Sequence, residues 1–323
     1  MLRVAFAGTF SATLAPAVRA RLAIPCDVVL DDESAIVARL SEVDVLVTLV
    51  FTREMGAAAK RLKLVQVPGA GLDRIDRSAL PEGTVLANVY GHEVGIAEFV
   101  IGAMLAMTRS FCRIDASLRR GAWESQWGVG GSPPPPWPEL AGKTLGILGY
   151  GRIGQSLARR AWAFDMDVCA IRRDVSCSSA DGLSLLGGPD ALDEVLRRAD
   201  YLAVTLSLNE QTRGLIGARE LALLKPTARL VNVARAEIVD EEALYRALAD
   251  RRIAGAALDV WYRYPKEPGP TLPARWPFHE LDNVLMTPHV SGWTEGMLEA
   301  RAILIAENIG RTARGDPPLN LIR

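Results

Sequence analysis

Thr144-Leu145-Gly146-Ile147-Leu148-Gly149-Tyr150-Gly151-Arg152-Ile153-Gly154 decides the fold of this chain. Thr144 to Leu148 is a short apolar run of strand type, and Gly149, Gly151 and Gly154 form G-x-G-x-x-G where that strand must turn. Ile153, Leu157, Ala161 and Phe164 then recur at helical spacing, and after Asp167 a second strand is expected over Val168 to Ile171. Strand, glycine turn, helix and strand in that order is the context in which the pattern marks a dinucleotide site. The first glycine permits the tight turn, the second lets backbone approach a pyrophosphate, and the third lets helix pack on strand. Free N–H groups at the helix start face the phosphates. A simple tight turn is the competing reading of the glycines alone, and the flanking elements argue against it.

The end of the second strand decides which dinucleotide. An acidic residue there would hydrogen-bond a ribose 2′-hydroxyl. Eighteen residues past Gly154 (172 − 154) stands Arg172, followed by Arg173 and Asp174. Arginine suits a 2′-phosphate, so NADP(H) is favoured over NAD(H). The chain has 32 arginines against 5 lysines, so an arginine in an exposed slot carries less weight, and a two-residue slip would put Asp174 in the slot.

At 323 residues and 49% hydrophobic content the chain can build two domains with sizeable cores. A net charge of −1 gives no basic field for nucleic acid. Cys26, Cys112, Cys169 and Cys177 show no C-x-x-C spacing and read as free thiols in a reducing compartment, the cytoplasm. Three histidines, His92, His279 and His289, argue against a histidine-built metal site. No apolar run is long enough to span a membrane, and the N-terminal run is too short for a signal peptide.

Residues 1 to 90 read as a first α/β unit. Strand-type runs lie at Leu2 to Ala7, Val45 to Val50 and Leu64 to Val67, with helical patterns at Ser34 to Leu40 and Arg53 to Leu62. Gly69-Ala70-Gly71 follows the last run, either as a turn or as amides exposed toward an anion. Residues 92 to 111 read as one helix, apolar nearly all round and hence buried between domains or at a subunit interface. The segment from Gly128 to Pro138, with its run of four prolines, reads as an extended surface excursion.

Past Asp174 a Ser/Gly-rich loop runs to Gly188, then a helix near Asp190 to Arg198. Strands at Tyr201 to Leu206, Arg229 to Val233, Gly255 to Leu258 and Asn283 to Thr287 follow. Ligands of open α/β sheets sit outside the carboxyl ends of strands. Arg235, Asp259 and His289 fall at such ends, and histidine has the pKa for proton transfer near neutrality. A helix over Glu295 to Asn308 returns to the first domain.

With these residues in view the chain resembles the D-isomer-specific 2-hydroxyacid dehydrogenases, over nearly its whole length. Val231-Asn232-Val233-Ala234-Arg235, Ala256-Ala257-Leu258-Asp259-Val260 and Thr287-Pro288-His289 carry the likeness, with Gly69 to Asp73 and Ile96-Ala97-Glu98 in support. The resemblance implies that Ala70 and Gly71 amides hold a substrate carboxylate, that Arg235 binds it and polarises the 2-oxo group, and that His289 exchanges the proton. It implies that Asp259 contacts the nicotinamide end, that Arg152 and Ile153 cap the pyrophosphate, and that Leu206, Ser207, Thr212, Val233, Ala234 and Gly292 border the cofactor. His92 and Phe51 are candidates to line the substrate pocket, with Tyr264 and Trp293.

One position departs from the family. Its usual Glu, paired to the histidine, is Tyr264 here, five residues after Asp259 (264 − 259). The text around Tyr264 resembles formate dehydrogenase, which has Gln there, but that enzyme has Asn where His92 stands, which argues against formate. A carboxylate beside His289 would favour imidazolium, whereas a phenol can only orient the ring, unless Glu93 or Glu267 reaches it.

The expectation is a Rossmann cofactor domain (92–289) inserted into a flavodoxin-like substrate domain (1–91 and 290–323), both doubly wound parallel sheets, with a cleft that closes to expel water. The expected function is NAD(P)-dependent reduction of a small 2-oxo acid such as glyoxylate or hydroxypyruvate, in a homodimer. The alternative is a non-catalytic NAD(P)-sensing protein on the same fold, which would need neither Arg235 nor His289.

Overall fold

Strand runs with apolar side chains on both faces build two fully parallel sheets, each covered on both sides by helices. The computed structural model describes residues 1–130, 133–177 and 182–322. The side chain of Cys177 and the stretches 131–132 and 178–181, inside the Pro-rich excursion and the Ser/Gly-rich loop, lie outside the described residues. The chain divides into two units, Met1–His92 with Trp293–Arg323, and Glu93–Gly292. These divisions fall one and three residues beyond the expected ones, at 91/92 and 289/290.

In the first unit, β1 (Leu2–Ala7), β2 (Cys26–Asp31), β3 (Val45–Thr48), β4 (Leu64–Gln66) and β5 (Val85–Ala87) pair in the order β2-β1-β3-β4-β5. That is the flavodoxin-like order. Val4, Phe6, Val45 and Val47 face α1 (Thr9–Arg19) and the C-terminal helix, while Ala5, Ala7, Leu46 and Val65 face the side of α2 (Arg53–Ala58). Two expectations are corrected here. The run 34–40 forms a 3-10 helix, Ala35–Glu42, and the helix expected to Leu62 ends at Ala58. α1 and β2 carry weak signals: Pro16 interrupts the helical pattern, and β2 is an edge strand with little buried surface.

In the second unit, α3 (Glu93–Thr108) and α4 (Phe111–Arg119) precede β6 (Thr144–Leu148), α5 (Arg152–Trp162), β7 (Asp167–Ile171) and β8 (Leu185–Gly187). α6 (Leu192–Arg198), β9 (Tyr201–Val204), α7 (Ala218–Leu223), β10 (Arg229–Asn232), α8 (Glu241–Ala249), β11 (Gly255–Leu258) and β12 (Val284–Met286) follow. The sheet order is β12-β11-β10-β9-β6-β7-β8, a Rossmann order whose switch point lies between β6 and β9. α9 (Glu295–Arg314) then belongs to the first unit.

The helix expected over 92–111 forms as α3 and ends three residues early, at Thr108. Ser110 takes a left-handed φ of 50° between α3 and α4, and the chain bends there. α3 lies on α5 with Ile96, Val100, Ile101 and Met104 buried against the β6 side of the sheet, so its apolar surface serves its own unit. β8 forms inside the expected loop to Gly188, where it pairs with β7. Among the described residues no single helix is long and apolar enough to cross a membrane.

Both sheets begin with the same device. Asp44, just before β3, exchanges backbone bonds with Arg3: the Arg3 N–H reaches the Asp44 carboxylate at 2.9 Å, and the Asp44 N–H reaches the Arg3 carbonyl at 2.9 Å. Asp200, just before β9, does the same with Thr144, again at 2.9 Å each way. Arg61 and Lys63 flank the first carboxylate, and Lys225 binds the second at 2.9 Å. Each aspartate thus ties two central strands at the end opposite the functional loops.

Candidate active site

The glycine turn after β6 has the shape its sequence demands. Gly149 sits at φ +106°, and a Cβ there would stand 2.9 Å from the Leu206 amide nitrogen, so both conformation and space require glycine. A Cβ on Gly154 would meet the Gly149 carbonyl oxygen at 2.6 Å, which is the close helix-on-strand packing. A Cβ on Gly151 meets nothing within 4 Å, so this exposed position leaves an open approach to backbone. The first intrahelical bond of α5 is Gln155 N–H to Gly151 carbonyl at 2.9 Å, so the amides of Arg152, Ile153 and Gly154 precede it. This is a cradle that fits a pyrophosphate. Thr205 closes its floor, donating to the Gly149 carbonyl at 2.8 Å.

Arg172 directly follows β7, half-buried, with its N–H on the Gly187 carbonyl at 3.0 Å. Arg173 is exposed. Asp174, the competing acid, turns its carboxylate to the Ser176 N–H at 3.0 Å and the Ser176 hydroxyl at 2.6 Å. Beyond β9, the Thr212 hydroxyl donates to the Ser207 carbonyl at 2.8 Å and accepts from the Asn209 N–H at 2.9 Å, so it shapes the 207–212 loop.

Three neighbouring strands carry the candidate residues. Asn232, Leu258 and Met286 stand level in register at the ends of β10, β11 and β12. Arg235 is three residues past Asn232, Asp259 one past Leu258 and His289 three past Met286, so the sheet brings their loops side by side. Asn232, 1% exposed, shapes the first loop. Its side chain takes the Ala234 N–H at 3.1 Å and donates to the Arg235 carbonyl at 3.0 Å. Val233 and Ala234 are buried, and Arg235 is half-buried.

Asp259 is fully buried and holds the His289 loop. One carboxylate oxygen accepts from the Thr287 hydroxyl at 2.6 Å and the Val290 N–H at 2.9 Å, and the other accepts from the Ser291 N–H at 2.8 Å. The Trp261 indole adds a bond to the Thr287 carbonyl at 2.8 Å. Between these clamps His289 takes a left-handed φ of 58°, a strained conformation for a non-glycine residue that the surrounding bonds enforce. Gly292 ends the unit just beyond.

The exposed His289 ring meets Tyr264: its Nδ1 lies 2.7 Å from the phenol oxygen. Burial of the phenol end raises the Tyr264 pKa, with Arg235 pulling the other way, so the group stays a neutral hydroxyl through the physiological range.

In the first unit, Asn88 fixes the loop after β4. Its side-chain N–H binds the Ala70 carbonyl at 3.0 Å, and the Val89 N–H binds the Gly69 carbonyl at 3.3 Å. Gly71 is exposed, and Ala70 half-exposed. His92 is buried at the end of the β5 segment, against Arg301. Phe51 is corrected: at 1% exposure it is a core side chain beside Met55 and Ile75, and does not line an open surface. Trp293 is half-exposed and packs on Phe10, ring centroids 5.7 Å apart. The loop-shaping roles of Asn232 and Asn88 were not legible in the sequence. The available signal for both asparagines was an amide at or just past the end of an apolar strand.

A model of the family described as "D-isomer specific 2-hydroxyacid dehydrogenase, NAD binding domain" matches residues 101–291. The D-3-phosphoglycerate dehydrogenase of Methanocaldococcus jannaschii is 36% identical over 88% of this chain, which spans about half (52%) of that protein's length. The glyoxylate reductase of Pyrococcus furiosus is 35% identical over 88% of this chain and 83% of its own length. A solved D-isomer specific 2-hydroxyacid dehydrogenase from Xanthobacter autotrophicus Py2, in complex with NADPH and MES, superposes with a TM-score of 0.79 at 28% identity, covering 100% of this chain and 98% of that one.

Proposed function

Because the chain belongs to the D-isomer specific 2-hydroxyacid dehydrogenases, oxidoreductases that use a nicotinamide cofactor, we propose that it interconverts a small 2-oxo acid and its D-2-hydroxy acid, as glyoxylate and hydroxypyruvate reductases do. The carrying observation is the Tyr264 hydroxyl, 2.7 Å from Nδ1 of His289 and within the field of the Arg235 guanidinium. One neutral group thus joins a general acid to a carboxylate-binding cation.

Bound in the Gly149–Gly154 cradle, the cofactor supplies a hydride. Arg235 grips the substrate carboxylate with paired N–H donors and draws charge toward the 2-oxo oxygen. The exposed Gly71 and its neighbour Ala70 are proposed to offer amides to a substrate carboxylate. His289 gives its Nε2 proton to the developing alkoxide, or takes it back in oxidation. A phenol can accept from Nδ1–H or donate to bare Nδ1, so Tyr264 holds the ring in either protonation state.

The preferred cofactor is NADP(H). Arg172 occupies the slot for a 2′-phosphate, and the turn that engages Asp174 supports that choice. Cytoplasmic residence is supported by free thiols at Cys26, Cys112 and Cys169, the last pushed up to about 11 by burial. A homodimer is supported by exposed Phe111, Leu118, Trp123 and Trp127 on and after α4. A protein that only sensed the dinucleotide would have no use for a strained His289 held by Asp259. Steady-state oxidation of NADPH across a panel of 2-oxo acids tests the proposal: turnover of at least one is expected, and tight cofactor binding with no turnover would favour the sensor.

A further inference from the structure

Two carbonyls of the 69–71 loop are held from one side. The Val89 N–H binds the Gly69 carbonyl at 3.3 Å, and Nδ2 of Asn88 binds the Ala70 carbonyl at 3.0 Å. Among the described residues every peptide bond is trans, and in a trans peptide the N–H points opposite to the C=O of the same unit. The Ala70 and Gly71 amides are therefore both turned away from the β5 segment. Among the described residues neither donates to the protein, and Gly71 is exposed. Successive N–H groups turned outward in this way suit an anion. Asn88 is 2% exposed, and its Oδ1 has no partner among the described residues, so the donor end is what this amide contributes.

Asn88 is itself held by a strap. Residues 319–322 run antiparallel beside β5, with the Ile322 N–H on the Leu86 carbonyl at 2.8 Å and the Asn88 N–H on the Asn320 carbonyl at 3.3 Å. The Asn320 side chain returns a bond to the Asn88 carbonyl at 3.4 Å, from a left-handed φ of 54°. A second amide pair anchors the strap to the root of the loop. Asn308 of α9 takes the Leu319 N–H at 2.7 Å and donates to Oε1 of Gln66 at 2.7 Å. Gln66 donates in turn to the Val67 and Ala87 carbonyls at 3.1 and 3.2 Å. Gln66 and Asn308 are fully buried, where a satisfied polar network is rigid and a broken one is costly.

We propose that Asn88 is a positioning residue for anion binding at the Ala70 and Gly71 amides, and that the 319–322 strap controls that binding through Asn320. The inference rests on the reading of this loop as a carboxylate site, and every contact it uses lies within the first unit. A donor on each carbonyl fixes both peptide planes before the anion arrives, so little ordering is left for binding to impose. Loss of the Asn88 donor frees the Ala70 carbonyl to rotate, and the Gly71 N–H turns with it because the two share one planar unit. Release of the strap acts one step further out. It removes two bonds from the Asn88 backbone and lets its side chain drift from Ala70. Carboxylate affinity is thereby set from a segment that β5 separates from the loop.

The Ala70 and Gly71 amide signals of 15N-labelled full-length protein read the loop directly. The probe is oxamate, a carboxylate beside an amide carbonyl that a hydride does not reduce, titrated into the NADPH-loaded protein. In wild type both signals are expected to move as oxamate binds. Asn88→Ala is expected to shift both signals with no anion present and to weaken oxamate about tenfold, with NADPH affinity unchanged. KM for a 2-oxo acid should rise with kcat little moved, as loss of uniform binding requires. Asn320→Gly keeps the left-handed backbone and removes only the side-chain bond, so smaller shifts and a roughly two- to threefold weakening are expected. Wild-type oxamate affinity in a folded Asn88→Ala overturns the inference. So does a lowered melting temperature with signals and affinity unmoved, which is what a merely structural role predicts. If Asn88→Ala does not fold, Asn320→Gly decides alone, and wild-type signals and affinity there overturn the inference. Turnover of a 2-oxo acid by wild type whose Ala70 and Gly71 signals ignore oxamate overturns the inference and leaves the proposed reaction standing. Oxamate binding with the expected variant effects, in a protein that turns over no 2-oxo acid, removes the reaction and supports the inference.

Discussion

The Asp259 carboxylate takes the Ser291 N–H at 2.8 Å and so closes the loop that presents His289 at a φ of 58°. A buried carboxylate with three donors is a rigid clamp, and the strain at His289 persists only while the clamp holds. Asp259→Asn must point an amide N–H at one of those donors. It is expected to lower stability by about 1–3 kcal/mol. A displaced His289 is expected to lower kcat about a hundredfold. Thermal melts, kcat and cofactor titration check this together. Weakened cofactor binding with unchanged kcat would instead favour the nicotinamide contact read from the sequence.

Tyr264 tests how the ring is held. Tyr264→Phe removes the bond to Nδ1, and a several-fold fall in kcat is expected with the protein still folded, since the tyrosine is half-exposed. Tyr264→Glu introduces a negative charge beside the ring and favours imidazolium. Reduction requires the protonated ring, so its rate falls as pH rises through the histidine pKa. A raised pKa carries the active range to higher pH, and the limb of kcat/KM is expected to move up by about one to two units. An unmoved limb would show that another group governs it.

Asp44 links stability to pH. Burial pushes its carboxyl up, but the Arg3 amide and the Arg61 guanidinium more than offset this and hold it below the usual carboxylate range. The folded pKa is thus lower than the unfolded value of about 3.9. Its contribution is complete above that value and is lost as pH falls through the folded pKa. Asp44→Asn is expected to be less stable than wild type by about 1–3 kcal/mol at neutral pH. The gap should narrow below about pH 4. Denaturant melts at both pH values measure it, and a gap constant with pH would contradict the assignment.

Arg172 is the proposed determinant of cofactor choice. Wild type is expected to prefer NADPH in kcat/KM, and Arg172→Ala to lose roughly tenfold or more of that preference through loss of a charge-assisted bond to phosphate. Equal use of both cofactors by wild type would end this reading.

The glycine cradle, the parallel sheets and the residues at the ends of β10, β11 and β12 were legible because each is written in a short local pattern. Gly149 shows why: the residue type alone states the φ and the space required. What hid was set by partners far along the chain. Asp259 bonds residues 28 to 32 positions away, and Arg301 meets His92 across 209 positions, distances over which one sequence carries no signal. Phe51 misled for the reverse reason. An aromatic at a strand end reads alike whether it lines a pocket or fills a core, and only the fold distinguishes them.

The most direct measurement follows an isotope. NADPH deuterated at nicotinamide C4 is mixed with a 2-oxo acid that the protein turns over, and the product is analysed for deuterium at C2 and for configuration. The D-2-hydroxy acid labelled at C2 is expected, with the rate falling about a thousandfold or more in Arg235→Ala and in His289→Asn. Unlabelled product, or full turnover by a protein lacking both side chains, would contradict the claim that a carbonyl held by Arg235 and protonated by His289 receives the hydride.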